Sequence, residues 1–235
     1  MEISAIILIA CVVLLIGISK SAFAGALGVF AVPILMLKFT AIEAITLMLP
    51  LLIIADMMSI RNFWNKWQTA LLAKLIPGAI VGIILANLLI DVINAEHLRL
   101  FIAFICITFA VKNIAFKQLQ LSIVNNRAGA YVMSATSGIT STLVHAGGPP
   151  LIIYFTAIGL PQTQFVATAA AFFAIMNLVK LIGVISLGLL TLAFVPLAFI
   201  GSWLGVKINQ HLDKQLFLKV MNYLLLILGF WLLVQ

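Results

Sequence analysis

Charged side chains are scarce along this chain of 235 residues. Asp, Glu, Lys and Arg make up 8% of the residues and hydrophobic residues make up 65%, whereas a soluble domain is usually about 25% charged. Several apolar stretches approach the roughly 20 residues that a helix needs to cross the hydrocarbon core of a bilayer. The alternating pattern of a membrane β-barrel is missing. The composition therefore predicts an all-α integral membrane protein whose spans take up nearly all of its length.

Other scarcities exclude further classes of function. Cys11 and Cys106 lie inside apolar runs without a Cys-x-x-Cys or Cys/His cluster, so we expect them to pack as small hydrophobic residues and expect no metal site. No phosphate-binding glycine loop and no Gly-x-Ser-x-Gly or His-Glu-x-x-His motif occurs, so we expect neither ATP hydrolysis nor another enzyme activity, and no cofactor. The net charge of +7 comes from Lys and Arg spread thinly over short loops. This pattern indicates membrane topology and no nucleic acid partner.

Two long apolar stretches, 3–37 and 130–158, are each interrupted by helix-breaking residues. Backbone without helical hydrogen bonds is tolerated at membrane depth only where protein or a water-filled cavity supplies partners. A pair of such breaks in two halves of a chain indicates a transport site. The remaining apolar stretches are predicted to be ordinary spans, at 43–60, 69–90, 98–117, 164–187, 191–210 and 216–234.

The distribution of Lys and Arg over the loops distinguishes two topologies. If each interrupted stretch crosses once, the two faces receive six and five of these residues; if each returns to its starting side, the faces receive nine and two. Because Lys and Arg are retained on the cytoplasmic side, we predict broken or re-entrant helical hairpins, with both termini outside. Whether each hairpin is re-entrant or consists of two short full crossings stays open.

Each half then contains one hairpin and three transmembrane helices. Because the hairpin returns to its starting side, each half crosses the membrane an odd number of times in net terms. Successive halves must therefore point in opposite directions. We predict an inverted repeat, with the first repeat at 1–120, the second at 128–235, and the two hairpin tips facing each other near the bilayer midplane.

The second half carries motifs of a known family. In chain order they are Gly147-Gly148-Pro149-Pro150-Leu151-Ile152-Ile153-Tyr154, Gly159-Leu160-Pro161, Ala167-Thr168-Ala169, Asn177-Leu178-Val179-Lys180 and Gly201-Ser202-Trp203-Leu204-Gly205. In order and spacing these motifs resemble the TauE/SafE family, the sulfite-exporter-like permeases, and the resemblance extends along nearly the whole chain. It implies secondary transport of a small anion, typically sulfite, a sulfonate or another sulfur-containing or carboxylate compound, across a plasma membrane, the inner membrane in bacteria.

The two breaks offer candidate binding groups for an anion, which loses its hydration in a low-dielectric site and needs donors or a cation. Hydroxyls would donate to anionic oxygens, glycines would let backbone N–H groups approach, and a half-helix restarting at proline would direct its positive end to the same point. The alternative is that the hydroxyls satisfy helix carbonyls and the histidine caps the broken helix. The predicted substrate-binding residues of the breaks are Gly25, Gly28, Pro33, Ser137, Thr140, Ser141, His145, Gly147, Gly148, Pro149 and Pro150.

Charged residues inside predicted spans are a further source of candidates, since each costs about 2.5–3.5 kcal/mol on insertion scales. Lys180 follows Asn177 by three residues and shares its helix face, and Lys20 lies at the first break. We predict that Lys20, Asn177 and Lys180 bind the anion. The alternatives are a Lys180 that snorkels or forms a structural ion pair, and a Lys20 at the membrane interface.

Asp56 is the acidic counterpart of these lysines. It lies 13 residues after Glu43, and Asn177 lies 13 residues after Gln164, so Asp56 and Asn177 fall at equivalent positions of the two halves. We predict that Asp56 either neutralises Lys180 or Lys20 or carries a coupling proton.

These observations together predict a secondary transporter that moves a small anion by alternating access between two broken hairpins. The alternative is an anion channel of the same architecture. The predicted partners are the anionic solute, a coupling proton or sodium ion, and the lipid bilayer.

Overall fold

The computed structural model describes residues 3–35, 37–39, 41–89, 95–115, 124–181 and 194–234. Within these ranges the regular structure is helical and no β-strand occurs, which confirms the all-α prediction. A short 3₁₀ helix, Ala26–Phe30, lies between the first two α-helices. The α-helices are α1 (Ile3–Ala22), α2 (Ala31–Leu35), α3 (Ala41–Asn62), α4 (Thr69–Leu89), α5 (Ala95–Ala115), α6 (Arg127–Val144), α7 (Gly148–Ala157), α8 (Gln162–Leu181), α9 (Val195–His211) and α10 (Lys214–Val234).

Several of these helices have the length and composition of membrane spans. Among the described residues, three segments are long and apolar enough to cross a bilayer: Ile3–Ala22, Thr69–Leu88 and Gln162–Lys180. A helix needs about 20 apolar residues for this purpose. These segments support a membrane-embedded protein.

The described helices can be set beside the predicted spans and breaks. Helices α3, α4, α5, α8, α9 and α10 occupy the six predicted spans. The two interrupted stretches are broken at the predicted places, because α1 ends at Ala22 and α6 ends at Val144, ahead of α7. Parts of the predicted spans and of the segment between the predicted repeats lie outside the described residues, namely 90, 116–123, 182–187 and 191–193.

The chain forms two compact units. Unit 1 comprises Met1–Leu72 and Thr163–His211, and unit 2 comprises Ala73–Gln162 and Leu212–Gln235. Each unit therefore combines helices from both halves of the sequence.

Unit 1 is organised around α1, which packs against α9 and α3. The backbones of α1 and α9 are so close that a Cβ atom on Gly17 would lie 2.7 Å from the backbone nitrogen of Ser202. Small residues allow such close helix packing in membrane proteins. Apolar side chains of α1 and α3, including Val13, Ile16 and Leu51, form a buried core beside this contact.

Unit 2 contains a similar close contact between α4 and α6. A Cβ atom on Gly138 would lie 3.1 Å from the Cα atom of Gly82 and 3.1 Å from the backbone nitrogen of Ile83. Helices α5 and α10 pack together elsewhere in this unit, and α7 contacts α5, α6 and α10.

Candidate functional site

The first break begins with a left-handed turn at the end of α1. Ala24 and Gly25 have φ angles of 50° and 81°. The Gly25 N–H group donates to the Ser19 carbonyl at 2.9 Å, so the chain folds back onto the last turn of α1. The Ser19 hydroxyl accepts a further hydrogen bond from the Leu27 N–H group at 2.9 Å. These bonds satisfy backbone groups that the break removes from the helix.

Lys20 lies in the last turn of α1, directly before this break. Its Nζ atom is 2.7 Å from the Asp56 Oδ1 atom of α3. On another side, the ammonium lies 4.4 Å from the ring centroid of Phe173 on α8, a distance typical of a cation–π contact. Lys20 is 5% exposed and Asp56 is 1% exposed, so the ion pair is buried in the structure.

Asn177 is the second hydrogen-bond partner of the Asp56 carboxylate. Its Nδ2 atom donates to the Asp56 Oδ2 atom at 2.5 Å, so both carboxylate oxygens have partners. The structure therefore brings together the two residues that equal spacing had placed at equivalent positions of the two halves. The Asn177 Oδ1 atom is buried and accepts no hydrogen bond from the described residues, although buried polar atoms are usually paired.

Lys180 lies less than one turn after Asn177, at the end of the described part of α8. It is partly buried and interacts electrostatically with both Lys20 and Asp56. We call Lys20, Asp56, Asn177 and Lys180 the charge cluster. Three helices of unit 1 contribute to it, and its formal charges are two lysines and one carboxylate.

A series of buried hydroxyls, which the sequence did not predict, adjoins the charge cluster. The Ser21 Oγ atom is 3.0 Å from the Ser59 Oγ atom and 2.7 Å from the Ser202 Oγ atom. Asn62, at the exposed end of α3, donates from Nδ2 to the Ser202 Oγ atom at 3.0 Å. We call Ser59, Ser21 and Ser202 the serine file. The available sequence signal was that Ser21 follows Lys20 and that Ser59 lies one turn after Asp56.

Unit 2 contains the second break. His145 has a φ angle of 54° and caps α6, and the following Ala146 N–H group donates to the Thr140 carbonyl at 3.1 Å. The Ser137 hydroxyl donates to the Gly147 carbonyl at 2.7 Å, which ties α6 to the start of α7. Helix α7 begins with Gly148, and Pro149 and Pro150 occupy its first turn.

Two of the predicted hydroxyl donors of the second break, Ser137 and Thr140, donate to backbone carbonyls. Ser137 donates to Gly147, and the Thr140 hydroxyl donates to the Ser137 carbonyl at 3.3 Å. Both side chains, and that of Ser141, are buried. In this arrangement the two hydroxyls satisfy backbone carbonyls.

The remaining candidates belong to the first break. Gly25 occupies the left-handed turn, and a Cβ atom there would lie 3.5 Å from the Phe173 ring. Gly28 is buried, and a Cβ atom there would meet no described heavy atom within 4 Å. Pro33 lies in α2. No group of three or more His, Cys, Asp or Glu residues that could hold a metal ion occurs among the described residues.

A model of the family described as "Sulfite exporter TauE/SafE" matches residues 9–232. The chain belongs to this family. The match covers both breaks, the charge cluster and the serine file, and it confirms the resemblance that the motifs of the second half indicated. TauE/SafE proteins are membrane permeases, which supports a membrane transport function. No curated protein and no solved structure matches the chain.

Proposed function

We propose that this TauE/SafE protein is a secondary transporter of a small anion in the plasma membrane. The substrate is a sulfur-containing anion such as sulfite, a sulfonate or a related organic anion. Transport proceeds by alternating access between the two broken-helix segments, driven by a gradient of the substrate or of a coupled ion. The observation that carries the proposal is the charge cluster beside the break of α1.

The charge cluster has the electrostatics that an anion site requires. Charged groups are costly inside a bilayer and are retained there mainly for function. Lys20 and Asp56 form a pair, and Lys180 adds a second positive charge on α8. The cluster therefore carries more positive than negative formal charge, which favours the binding of an anion.

The ends of α1 and α6 have the same local structure, which supports a repeat in the chain. Ala24 and His145 each follow an interrupted helix with a positive φ angle. In each case the next N–H group donates to a carbonyl five positions before the left-handed residue, that of Ser19 in the first break and that of Thr140 in the second. The separation between counterparts is 121 residues at both positions.

The same separation extends to other parts of the two halves. Asp56 and Asn177, which contact each other, are 121 residues apart. Gly17 and Gly138 are also 121 residues apart, and each allows a close helix contact within its own unit. Together with the loop charges, this constant separation of 121 residues supports an inverted repeat in which each half is a hairpin followed by three helices.

Counterflow in proteoliposomes tests the proposed function. Vesicles that contain the purified protein and a high internal concentration of sulfite, sulfoacetate or isethionate are diluted into a trace amount of the same labelled anion. We expect saturable accumulation of label for at least one of these anions and none in protein-free vesicles. Large single-channel currents without counterflow would support the anion channel instead, and the absence of both would reject anion transport.

A further inference from the structure

The Asp56 carboxylate occupies a position in which an anionic oxygen of a substrate could contact Lys20. Its Oδ1 atom is 2.7 Å from the Lys20 ammonium, which is the distance of a charge-assisted hydrogen bond between an ammonium and any anionic oxygen. The Phe173 ring covers the ammonium at 4.4 Å. A sulfonate or sulfite oxygen that takes the position of the Asp56 Oδ1 atom competes with this carboxylate for Lys20.

An ionised Asp56 that loses Lys20 would be an unpaired charge in a buried site, which is strongly unfavourable. A protonated Asp56 is neutral and can give up the contact at much lower cost. The charged groups near it in the described chain are Lys20 on α1 and Lys180 on α8. Those of α9, Lys207 and His211, are exposed.

From this competition we infer that Asp56 is the proton-binding site of the transporter and that its protonation releases Lys20 to the substrate anion. The inference rests on the proposed anion transport and names its coupling ion. A proton from solvent binds Asp56, and the carboxylic acid separates from the Lys20 ammonium. The ammonium keeps its own protons and pairs with the anion. One proton and one anion thus enter together, and both leave when Asp56 ionises and pairs with Lys20 again.

Asn177 is suited to both protonation states of Asp56. The amide of an asparagine side chain has hydrogen-bond donors on Nδ2 and a hydrogen-bond acceptor at Oδ1. In the structure its Nδ2 atom donates to the Asp56 carboxylate, and its Oδ1 atom has no hydrogen-bond donor among the described residues. Rotation of the amide places Oδ1 where it accepts the O–H group of a protonated Asp56.

We assign to the serine file the part of the proton route between the exposed end of α3 and Ser59. Asn62 donates to the Ser202 hydroxyl, so the Ser202 hydrogen can point to Ser21 and the Ser21 hydrogen to Ser59. Hydroxyls that are oriented in one direction can pass a proton by successive transfers. Ser59 lies on the same face of α3 as Asp56, one turn away, and Asn62 marks the exposed end of that helix.

Proton-coupled accumulation in proteoliposomes tests the inference, with whichever of the three anions shows counterflow. In sodium-free buffer, a pH gradient that is alkaline inside should drive uptake against the anion gradient. For a monoanion the accumulation should be about tenfold per pH unit, because one unit is worth about 1.36 kcal/mol per proton. If the wild-type protein shows counterflow but its anion uptake does not respond to the pH gradient, the proton coupling is rejected and the proposed anion transport is not.

The Asp56→Asn variant locates the proton. We expect it to lose the accumulation driven by the pH gradient and to exchange anion with a pH profile flatter than that of the wild type. Titration of the anion itself is the same for both proteins, so the difference reports Asp56. An unchanged pH profile would overturn the assignment.

A direct measurement does not depend on the folding of that variant. In weakly buffered detergent solution with a pH-sensitive dye, anion binding to the wild-type protein should take up one proton per site. Binding without proton uptake would overturn the inference by itself.

Ser21→Ala tests the route. The substitution removes the middle hydroxyl and should slow proton-driven uptake without changing the final accumulation. Ser134→Ala is the matched control, because Ser134 is equally buried and its hydroxyl bonds to the Tyr131 carbonyl of its own helix. Equal rates for the two variants would exclude the serine file as the route.

Discussion

The two intramembrane lysines have different surroundings. Lys20 is in direct contact with a carboxylate and an aromatic ring. Lys180 lies further along the cluster and interacts electrostatically with both members of the ion pair. In the proposed coupling, Lys180 contributes the additional positive charge while Asp56 is ionised, and Lys20 becomes available to the anion when Asp56 is protonated.

At anion concentrations well below saturation, Lys180→Ala should reduce uptake to a small fraction of the wild-type rate, with expression and folding retained. A hydrogen bond to a charged group is worth about 1.5–3 kcal/mol, so a loss of roughly tenfold to a hundredfold in apparent affinity is expected. Initial uptake rates over a range of anion concentrations measure it. Lys207→Ala is the control, because Lys207 is exposed and its Nζ atom lies over the Trp203 ring at 3.9 Å. Normal transport by Lys180→Ala would remove this residue from the site.

Lys20→Ala should be more destabilising than removal of both members of the ion pair. The single substitution leaves the Asp56 carboxylate buried without its cation, at a cost of about 3–5 kcal/mol. The double variant Lys20→Ala/Asp56→Ala removes the unpaired charge and should recover part of that loss. Thermal unfolding of the purified proteins in detergent compares the two. A double variant with a lower melting temperature than the single variant would contradict this account.

At the scale of helices, glycine positions set how closely α1 approaches α9. Gly17→Ala would place a Cβ atom 2.7 Å from the backbone of Ser202, and backbone atoms cannot move aside without shifting a helix. We expect a loss of about 1–3 kcal/mol, the usual cost of overpacking, measured as a lower melting temperature. Gly28→Ala should change it little, since that Cβ atom meets no described atom within 4 Å. Equal effects of the two substitutions would show that this contact is not tight.

The sequence predicted the positions of the helix breaks because glycine and proline act locally. Asp56 and Asn177 could be matched by equal spacing alone, before any contact between them was known. The serine file could not be predicted, because Ser21, Ser59 and Ser202 meet only when α1, α3 and α9 pack together. The hydroxyls of Ser137 and Thr140 illustrate the same limit, since composition does not distinguish a donor to substrate from a donor to a nearby carbonyl.

For the whole molecule, the orientation in the membrane is the main consequence of the hairpin topology. A reporter fused after Gln235 should lie outside the cytoplasm, because returning hairpins place nine loop Lys and Arg residues on one face and two on the other, and the rich face stays cytoplasmic. Paired fusions to a periplasmic phosphatase and to a fluorescent protein measure this. A fusion in the loop after Lys66 should give the opposite result. A cytoplasmic Gln235 would mean that the interrupted stretches do not both return to their starting side.

Helix α8 carries both groups that hold the ion pair in place from one side. Phe173 covers the Lys20 ammonium, and Asn177, four residues later, holds the Asp56 carboxylate. Residues four apart lie one above the other on a helix face, so they travel as a single piece. A displacement of α8 would therefore separate Phe173 from the Lys20 ammonium and Asn177 from the Asp56 carboxylate at the same time. The release of the ion pair would then depend on the movement of a single helix.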